Sequence, residues 1–558
     1  MRPSPTQLAR CRAANLPRAA LLFVACTPLC LAQSTDQIAD AATHQPVSAT
    51  WTADTGLRLE GLGAAWYASA NGDDFRYLKR TVDAVLDGGV PPATDSLAAG
   101  LFGRQLLLLY RVTLDPKYFK AAETLRRQLS PVCGLVPQTP SRASGATPPS
   151  ACQAQPFLAE YAAVFHQPAD FVALTHTFEA QNRNLNASPE NLARQAIALV
   201  DSLPYYPAAD PGRARLLKIF RHLAAALSAA PIPRQQPPLS ATCLTIYAFL
   251  RGVRLGYLPD SYDASALRAW QPIAASAGQN LLEPASLLLA ATEADLASIN
   301  ASHRGQTILV DAWFNSQTRR NAAGQTESFH YKWSDFSDSG YSLLGHMFRS
   351  YGVGTGTLDS APTLSNLSAA QLYLIVSPDI PVKNPHPHYM TTHDADQIAA
   401  WVHGGGVLIL MENDPPNADI EHLNLLAERF GIHFDNVLHH HIIGEQVEDG
   451  RIPVPASGPI FHHPHTLYMK DTCAISLAGA AMALLRDRGD VVMATAKYGR
   501  GTVFAAVDPW LYNEYTDGRN NPHIYSQFDN FAGGQELVRW LLDHVPARRG
   551  PGKKTTSQ

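Results

Sequence analysis

The stretch GRQLLLLYRVTLDPKYFKAAETLRRQL at residues 103–129 consists of two apolar-faced helical segments joined by a tight turn at Asp115 and Pro116. Aspartate caps the first free N–H groups of a helix, and proline fits the first helical turn. NGDDFRYLKR at 71–80 and HQPADFVALT at 166–175 contain similar turns, in which an aspartate closely precedes an aromatic residue. Repeated hairpins of this kind over residues 55–270 predict a solenoid or, if they close on themselves, a toroid.

The sequence beyond residue 305 has a different pattern. Four short apolar runs, TILV, LYLIV, GVLILM and TVFAAV, are separated by helical segments. Because their apolarity is continuous rather than alternating, we expect strands buried on both faces, in a mostly parallel sheet covered by helices. The stretch DVVMATAKYGRGTVFAAVD at 490–508 instead predicts an antiparallel hairpin.

A chain of 558 residues that is 46% hydrophobic is long and apolar enough for two cores. We predict a multidomain α and α/β protein in which a toroid-like helical domain, complete or incomplete, precedes a flavodoxin-like α/β domain. The predicted parts are a signal peptide at 1–32, the helical domain at 45–280, linker helices at 281–305, the α/β domain at 306–545 and a disordered tail at 546–558.

The first 32 residues have the pattern of an export signal. Arg10, Arg12 and Arg18 precede the apolar run AALLFVACTPLCLA, and the small residue Ala32 precedes a polar segment. We expect cleavage after Ala32 and a periplasmic or extracellular protein. Lipid attachment at Cys26 is the alternative. No later segment approaches the ~20 apolar residues that a membrane span needs.

The formal net charge of −4 gives no long-range attraction for a polyanion, so nucleic acid is not an expected partner.

Cys133 and Cys152 bracket a loop rich in Pro, Ser, Gly and Thr, and in an oxidising compartment they are a candidate disulfide. Cys243 lies in an apolar run and is expected to be a buried thiol.

Four stretches in the first half resemble the unsaturated glucuronyl and rhamnogalacturonyl hydrolases of glycoside hydrolase families 88 and 105. In the order of the family they are GRQLLLLYRVTLDPKYFKAAETLRRQL, QPFLAEYAAVFHQPADF, ALVDSLPYYPAADPGRARLLKIFRHLAAAL and SATCLTIYAFLRGVRLGYLPDSY. The resemblance implies an (α/α)6 toroid that releases the 4,5-unsaturated uronic acid left by polysaccharide lyases. In that family an aspartate protonates the vinyl ether of the sugar, and water adds to the resulting cation.

The sequence departs from the family where the chemistry is carried. The position of the proton donor, registered on Pro156 and Phe157, falls at Pro149, which cannot donate a proton. A second family aspartate, registered on the Gly-Arg pair at 103–104, falls at Ala98. Two loops that carry substrate contacts in the family are also shortened. The resemblance therefore implies an activity that is impaired or altered.

Two nearby carboxylates could replace the missing acids. Glu160 lies in the middle of a predicted helix, and Asp170 belongs to one of the repeated turns. We predict a structural role for each.

The second half concentrates polar groups after its predicted strands, where the carboxyl ends of parallel strands form a ligand-binding crevice. The neighbouring loops combine aromatic and hydrogen-bonding side chains, as a sugar needs for its apolar faces and its hydroxyl rim. Turn-forming acids at strand ends are the structural alternative for each position. The substrate-binding candidates are Asp311, Tyr331, Lys332, Asp379, Lys383, Glu412, Asn413, Asp508, Trp510 and Tyr512.

This half looks like a class I glutamine amidotransferase-like domain. Amidotransferase chemistry requires a cysteine on a strand-to-helix elbow, whereas Cys473, in YMKDTCAISL, has no glycine-flanked elbow. Glutaminase activity is therefore not predicted.

Seventeen of the 21 histidines lie beyond residue 300, but their spacing matches no established metal motif, so neither a metal nor another cofactor is predicted.

The expected partner is an oligosaccharide, of pectin or other uronate origin. One hypothesis is an exported hydrolase of the unsaturated uronyl type with altered catalytic groups. The alternative is a non-catalytic carbohydrate-binding or assembly protein that uses the α/β crevice.

Overall fold

The computed structural model describes residues 29–135, 152–182, 188–229, 239–275, 285–299, 303–444, 446–512, 519 and 526–546. Pro149, most of the expected signal peptide and the expected tail beyond residue 546 lie outside the described residues.

The first half of the chain is helical throughout its described parts. Its α-helices, numbered in chain order, are α1 Leu29–Thr43, α2 Ala53–Ser69, α3 Gly72–Leu86, α4 Ser96–Thr113, α5 Pro116–Leu129, α6 Gln155–Val164, α7 Pro168–Gln181, α8 Pro189–Ser202, α9 Pro211–Ala229, α10 Leu239–Arg254, α11 Ser261–Ala274 and α12 Leu287–Ser298.

The repeated turns seen in the sequence share one backbone conformation. Ala70, Leu114 and His166 have positive φ angles of 57°, 56° and 49°, and in each case the next helix begins two residues later. At the first two turns a left-handed residue ends one helix, and the side chain of Asn71 or Asp115 caps the next. At the second turn, for example, the Asp115 carboxylate accepts a hydrogen bond from the N–H of Lys117 at 2.9 Å. The local sequence therefore encodes the reversal of the chain.

The six even-numbered helices form a closed inner ring. Each packs against the next even-numbered helix, and α12 packs against α2. The odd-numbered helices lie outside this ring; α3, for example, packs against α2 and α4, and α11 against α10 and α12. Closure leaves no helix of the inner ring with an uncovered apolar edge.

The helical core extends beyond residues 45–280 on both sides. Ile38 and Ala39 of α1 belong to it, as do Leu287, Ala290 and Ala294 of α12. The segment 281–305, which the sequence predicts as linker helices, thus contains the inner helix that closes the ring. α12 can serve there because it is apolar around most of its circumference, as a helix surrounded by others must be.

The second half combines a large sheet with helices. Its strands are β1 Thr307–Asp311, β2 Thr318–Arg320, β3 Thr326–Ser328, β4 Gly354–Leu358, β5 Leu372–Val376, β6 Val407–Met411, β7 Ile432–His439, β8 Arg451–Val454, β9 His465–Tyr468, β10 Thr472–Leu477, β11 Met482–Asp487, β12 Asp490–Tyr498 and β13 Gly501–Ala506. Its helices are α13 Ser342–Ser350, α14 Leu364–Leu367, α15 Thr392–His403, α16 Ile420–Ala427 and α17 Asn530–Asp543.

The main sheet has the strand order β4-β1-β5-β6-β13-β12-β10-β7, with β11 paired to β12. The first five strands in this order are parallel neighbours. β5 and β6 are buried at every position, which confirms the mostly parallel sheet predicted from their continuous apolar runs. β12 and β13 pair antiparallel up to Tyr498 and Gly501, as the hairpin pattern predicts.

The two halves are in direct contact at the carboxyl ends of the inner helices. The hydroxyl of Tyr110, near the end of α4, accepts a hydrogen bond from the N–H of Ala322 at 2.7 Å. The side-chain amide of Gln325 donates to the carbonyl of Phe165, just after α6, at 2.8 Å. The α/β half therefore covers one end of the helical ring.

None of the helices in the described parts of the chain combines the length and apolar character that a membrane crossing requires.

Cys133 and Cys152 form a disulfide bond, which confirms the predicted pairing. Both residues are fully buried. The bond fixes the start of α6 to the segment after α5, and it closes a loop across a sequence separation of 19 residues.

We predict that the variant Cys133→Ala/Cys152→Ala has a free energy of unfolding lower by about 3 kcal/mol, because the bond restricts the unfolded chain. Denaturant unfolding with and without a reductant measures the effect. Reductant should destabilise the wild type and leave the double variant unchanged; equal sensitivity of the two proteins would contradict the prediction.

Candidate functional site

The structure places the acids that follow the parallel strands at one edge of the sheet. Asp311 ends β1, Asp379 follows β5, Glu412 follows β6 and Asp508 follows β13. All four side chains are buried. The hydrogen bonds they make within the protein decide whether they are available to a ligand.

Asp311 and Lys332 hold the loop after β1. The Asp311 carboxylate accepts hydrogen bonds from the N–H groups of Phe314 and Asn315 at 2.9 and 3.0 Å and from the Tyr373 hydroxyl at 2.8 Å. The Lys332 ammonium donates to the carbonyls of Asp311 and Asn315 at 3.0 and 2.8 Å and to the Asn315 side chain at 3.0 Å. Lys332 is thus fully occupied by internal acceptors.

Asp379 is equally well satisfied: it accepts from the N–H of Ser316 at 2.8 Å and from the side-chain amides of Gln317 and Asn384 at 2.7 and 3.0 Å. Asp508 accepts from two backbone N–H groups, those of Lys470 at 2.8 Å and Trp510 at 2.7 Å.

Glu412 differs from these three acids. One of its oxygens accepts from the N–H of Asn413 at 3.0 Å, and the other is buried without a hydrogen-bond partner among the described residues. Burial raises the pKa of Glu412 to about 8, so this group is a neutral acid over most of the physiological range. Burial also lowers the pKa of Lys383, against the opposing effect of nearby Asp414.

The three aromatic candidates lie in different environments. Tyr331 is fully buried and has a positive φ of 59°. Trp510 is half-buried, and the Lys470 ammonium lies 4.1 Å from its ring centre. Tyr512 is the last residue of the short 3-10 helix Pro509–Tyr512. The acids at the strand ends thus mainly fix the loops that follow them through hydrogen bonds. A ligand site among these candidates stays a prediction.

A cavity of about 210 Å³ lies at the centre of the helical ring. Its polar lining comes from five inner helices, from the segment after α8 and from the second half. The polar residues are Glu60 and Tyr67 of α2; Arg104, Gln105 and Arg111 of α4; Glu160 of α6; Tyr205 after α8; Tyr247, Arg251 and Arg254 of α10; Thr292 and Glu293 of α12; and His346 of the second half. The second half also contributes the apolar ring of Phe336.

Helical periodicity explains how these side chains converge. Arg104 and Arg111 are seven residues apart on α4, and Tyr247, Arg251 and Arg254 are spaced by four and three on α10. Such spacings place side chains on one face of a helix. α4 and α10 therefore each present a row of polar side chains to the ring centre.

Arg104 connects four inner helices. Its guanidinium is 3.0 Å from Glu60 of α2, 3.0 Å from Asp201 of α8 and 3.7 Å from Glu160 of α6. Burial of so many charges is tolerable only because each is paired.

Arg251 extends the network around the ring. It lies 2.9 Å from Asp201 and 3.3 Å from Glu293 of α12. Arg254 donates to Glu293 at 2.9 Å, and the Tyr247 hydroxyl donates to Asp201 at 2.8 Å.

Glu60 is the acid most suited to proton transfer. Burial raises its pKa to about 7; Arg104 opposes the shift, and the neighbouring acids Asp201 and Glu160 add to it. Its side chain remains 11% exposed. A carboxyl group that titrates near neutral pH and can be reached from a cavity is a candidate general acid or base.

The opposite, amino-terminal end of the inner helices is packed tightly where the family places an acid. Ala98, in the first turn of α4, is buried, and its carbonyl accepts a hydrogen bond from the Trp51 indole at 2.8 Å. A Cβ atom at Gly100 would lie 2.9 Å from that of Ala154, and one at Gly103 would lie 2.5 Å from the Phe157 ring. The cavity acids Glu60, Glu160 and Glu293 lie instead near the middle of their helices.

Apart from Glu160, the sequence did not single out the acids and arginines of the cavity as a site. The structural role predicted for Asp170 agrees with its ion pair to Arg126 at 2.6 Å. Glu160 pairs with Arg104 and with Arg111, which is 3.4 Å away, and its carboxylate also lines the cavity, so its predicted structural role stays a prediction. The available signal was that Arg104 and Arg111 are the charged residues of an otherwise largely apolar helix.

Within the described ranges, no group of three His, Cys, Asp or Glu side chains is arranged to hold a metal ion.

Comparisons with known proteins give distant structural likenesses. No protein-family model matches the sequence, and no curated protein matches it. A family 105 glycoside hydrolase from C. acetobutylicum ATCC 824 has 19% identity and a TM-score of 0.40, over 47% of this chain and 99% of its own. A family 88 glycosyl hydrolase from Bacteroides vulgatus has 15% identity and a TM-score of 0.40, over 49% and 99%. A polysaccharide lyase has 14% identity and a TM-score of 0.38, over 48% and 97%.

We predict that Arg104→Met lowers the free energy of unfolding by about 3–5 kcal/mol, because among the described residues it removes the cation paired with Glu60 and one of the two cations paired with Asp201. Urea unfolding measures the loss. The control is Arg194→Met, which removes a solvent-exposed ion pair with Glu190 and should cost less than about 1 kcal/mol. Similar losses for both variants would contradict the network's structural role.

We predict that Glu60 makes stability depend on pH. Its usual pKa is 4.5 and its folded value is about 7, so between these values the native state keeps a proton that the unfolded state has released. The free energy of unfolding therefore falls as pH rises from 4.5 to 7, by up to about 3 kcal/mol relative to Glu60→Gln. Parallel stability curves for the two proteins would contradict this. Glu190→Gln, on the exposed surface of α8, is the control.

Proposed function

We propose that this protein is an exported carbohydrate-active enzyme that takes an acidic sugar residue, a uronate, into the central cavity of its helical ring. The observation that carries the proposal is the position of the Glu60 carboxyl group, whose pKa burial raises to about 7, beside a cluster of arginines in that cavity. The sequence resemblance to unsaturated uronyl hydrolases supports the same class of substrate.

The charges of the cavity favour an anionic ligand. Four guanidinium groups, those of Arg104, Arg111, Arg251 and Arg254, face three ionised carboxylates when Glu60 holds its proton. The three are Glu160, Asp201 and Glu293, and the balance is one positive charge. Guanidinium groups bind carboxylates through paired, charge-assisted hydrogen bonds. The carboxylate of a uronate would complete the charge balance.

The proposed reaction uses Glu60 as the proton donor. In a 4,5-unsaturated uronate the ring oxygen is part of a vinyl ether, so a proton transferred to C4 leaves the positive charge on C5 and the ring oxygen. Water then adds at C5, and the hemiketal that results opens and releases the remaining sugar. A carboxyl group whose pKa is near 7 can both give and regain a proton at neutral pH. Glu60 would thus replace the acids missing at Ala98 and Pro149.

For the second half we infer a flavodoxin-like, amidotransferase-like layer without amidotransferase chemistry. Its five parallel strands, numbered by chain position, have the order 2-1-3-4-5, which is one of the two common doubly-wound orders. Cys473 lies buried on β10, away from any strand-to-helix elbow. Export is supported by the Cys133–Cys152 bond, since disulfides persist in oxidising compartments.

We predict that the purified protein removes the ultraviolet absorbance of the 4,5 double bond from lyase-digested uronate polymers, and that Glu60→Gln lowers kcat by about 10²- to 10⁴-fold. Binding of the substrate should persist in the variant, because the arginine cluster is intact. Glu190→Gln serves as the matched control and should retain wild-type turnover.

A different outcome would favour the non-catalytic alternative. If the wild type binds uronate oligosaccharides saturably in calorimetry but consumes none across several lyase digests, the cavity is a binding site and the proposed reaction is wrong. If binding persists in cavity variants but is lost in Glu412→Ala, the ligand is held by the α/β half instead.

A further inference from the structure

One wall of the ring cavity is supplied by the α/β half. Phe336 lies between β3 and α13, and His346 lies on α13; both line the cavity together with the inner helices. The site at the ring centre is therefore not made by the helical half alone.

Contacts to α2 and α4 hold this wall in place. The ring of Tyr67 lies 5.6 Å from the rings of both Phe336 and His346, and its hydroxyl is 2.9 Å from that of Ser342. The guanidinium carbon of Arg111 is 3.5 Å from the centre of the Phe336 ring. Phe336 and His346 are thus fixed relative to the cavity arginines.

His346 carries a polar atom without a use in the protein. Its Nε2 atom is buried and has no hydrogen-bond partner among the described residues. Burial, aided by the nearby cations Arg349, Arg254 and Arg251, lowers the pKa of His346 well below its usual value, so the ring is neutral. Buried polar atoms are nearly always paired, and because the His346 residue lines the cavity, a ligand bound there is a candidate partner for this atom.

We propose that His346 is a specificity-determining residue of the cavity, which hydrogen-bonds a hydroxyl group of the acidic sugar while Phe336 lies against the sugar's apolar face. The inference rests on the proposed function, since it assumes that the cavity takes a uronate. A neutral imidazole both donates and accepts hydrogen bonds, as a hydroxyl does, whereas the guanidinium groups suit the carboxylate. The α/β half would thus read the hydroxyl pattern of a ligand that the helical half holds by its charge.

The experiment is calorimetric titration of the full chain with D-galacturonate, D-glucuronate and their monodeoxy analogues. We expect His346→Phe to weaken hexuronate binding by about tenfold. We further expect one monodeoxy analogue to bind the wild type about tenfold more weakly than the parent sugar does. The His346→Phe variant should bind this analogue and the parent sugar with almost equal affinity. His346→Gln, which keeps a hydrogen-bonding group, should retain part of the discrimination. His433→Phe changes an exposed histidine of β7 and is the control.

The possible failures are distinguishable. If the wild type binds hexuronates but every monodeoxy analogue loses the same affinity in wild type and His346→Phe, the role of His346 is overturned and the proposed function stands. If the wild type binds no hexuronate, this inference falls, and the turnover of lyase-digested uronate polymers decides the proposed function separately. If His346→Phe does not fold, the comparison is made with His346→Gln, where full wild-type discrimination would overturn the inference.

Discussion

The helical half depends on two arginines at the centre of its ring. Arg104 of α4 pairs with acids of α2, α6 and α8, and Arg251 of α10 pairs with acids of α8 and α12. Together they connect all six inner helices. Charges removed from water are stable only with their partners in place, so the ring must close for the network to exist. The same network lines the cavity, and the structural and the proposed functional roles of these residues are therefore inseparable.

The two halves use carboxylates in opposite ways. At the strand ends of the sheet, Asp311, Asp379 and Asp508 accept hydrogen bonds from backbone N–H groups and nearby side chains, and thereby fix the loops that follow. In the ring, Glu60 and Glu160 face guanidinium groups across a cavity. An acid whose oxygens are filled by its own loop has little left for a ligand, whereas an acid at a cavity wall can exchange partners. Position at a strand end is thus a weaker indicator of function than the set of donors around the carboxylate.

The likeness to family 88 and 105 hydrolases led the sequence reasoning to look for acids at the amino-terminal ends of the inner helices. Ala98 is packed against Trp51 there, so that end of the ring offers no comparable polar side chain at this position. The polar groups lie from the middle of these helices toward their carboxyl ends, where the α/β half covers the ring with Phe336 and His346. The covering half gives the cavity a boundary that a helical ring alone would lack.

The helical hairpins with their tight turns and the parallel strands with their continuous apolar runs could be predicted from the sequence, which also offered Cys133 and Cys152 as a candidate pair. These depend on short-range backbone chemistry and on burial, which a single sequence displays. Only the tertiary structure decided that α12 closes the ring and that Glu60, Arg104 and Glu160 meet at its centre. A row of polar side chains on a helix gives the same sequence pattern whether it faces water or an internal cavity. The packing of α12 against α2, which are far apart in the chain, closes the ring and turns these rows toward the cavity.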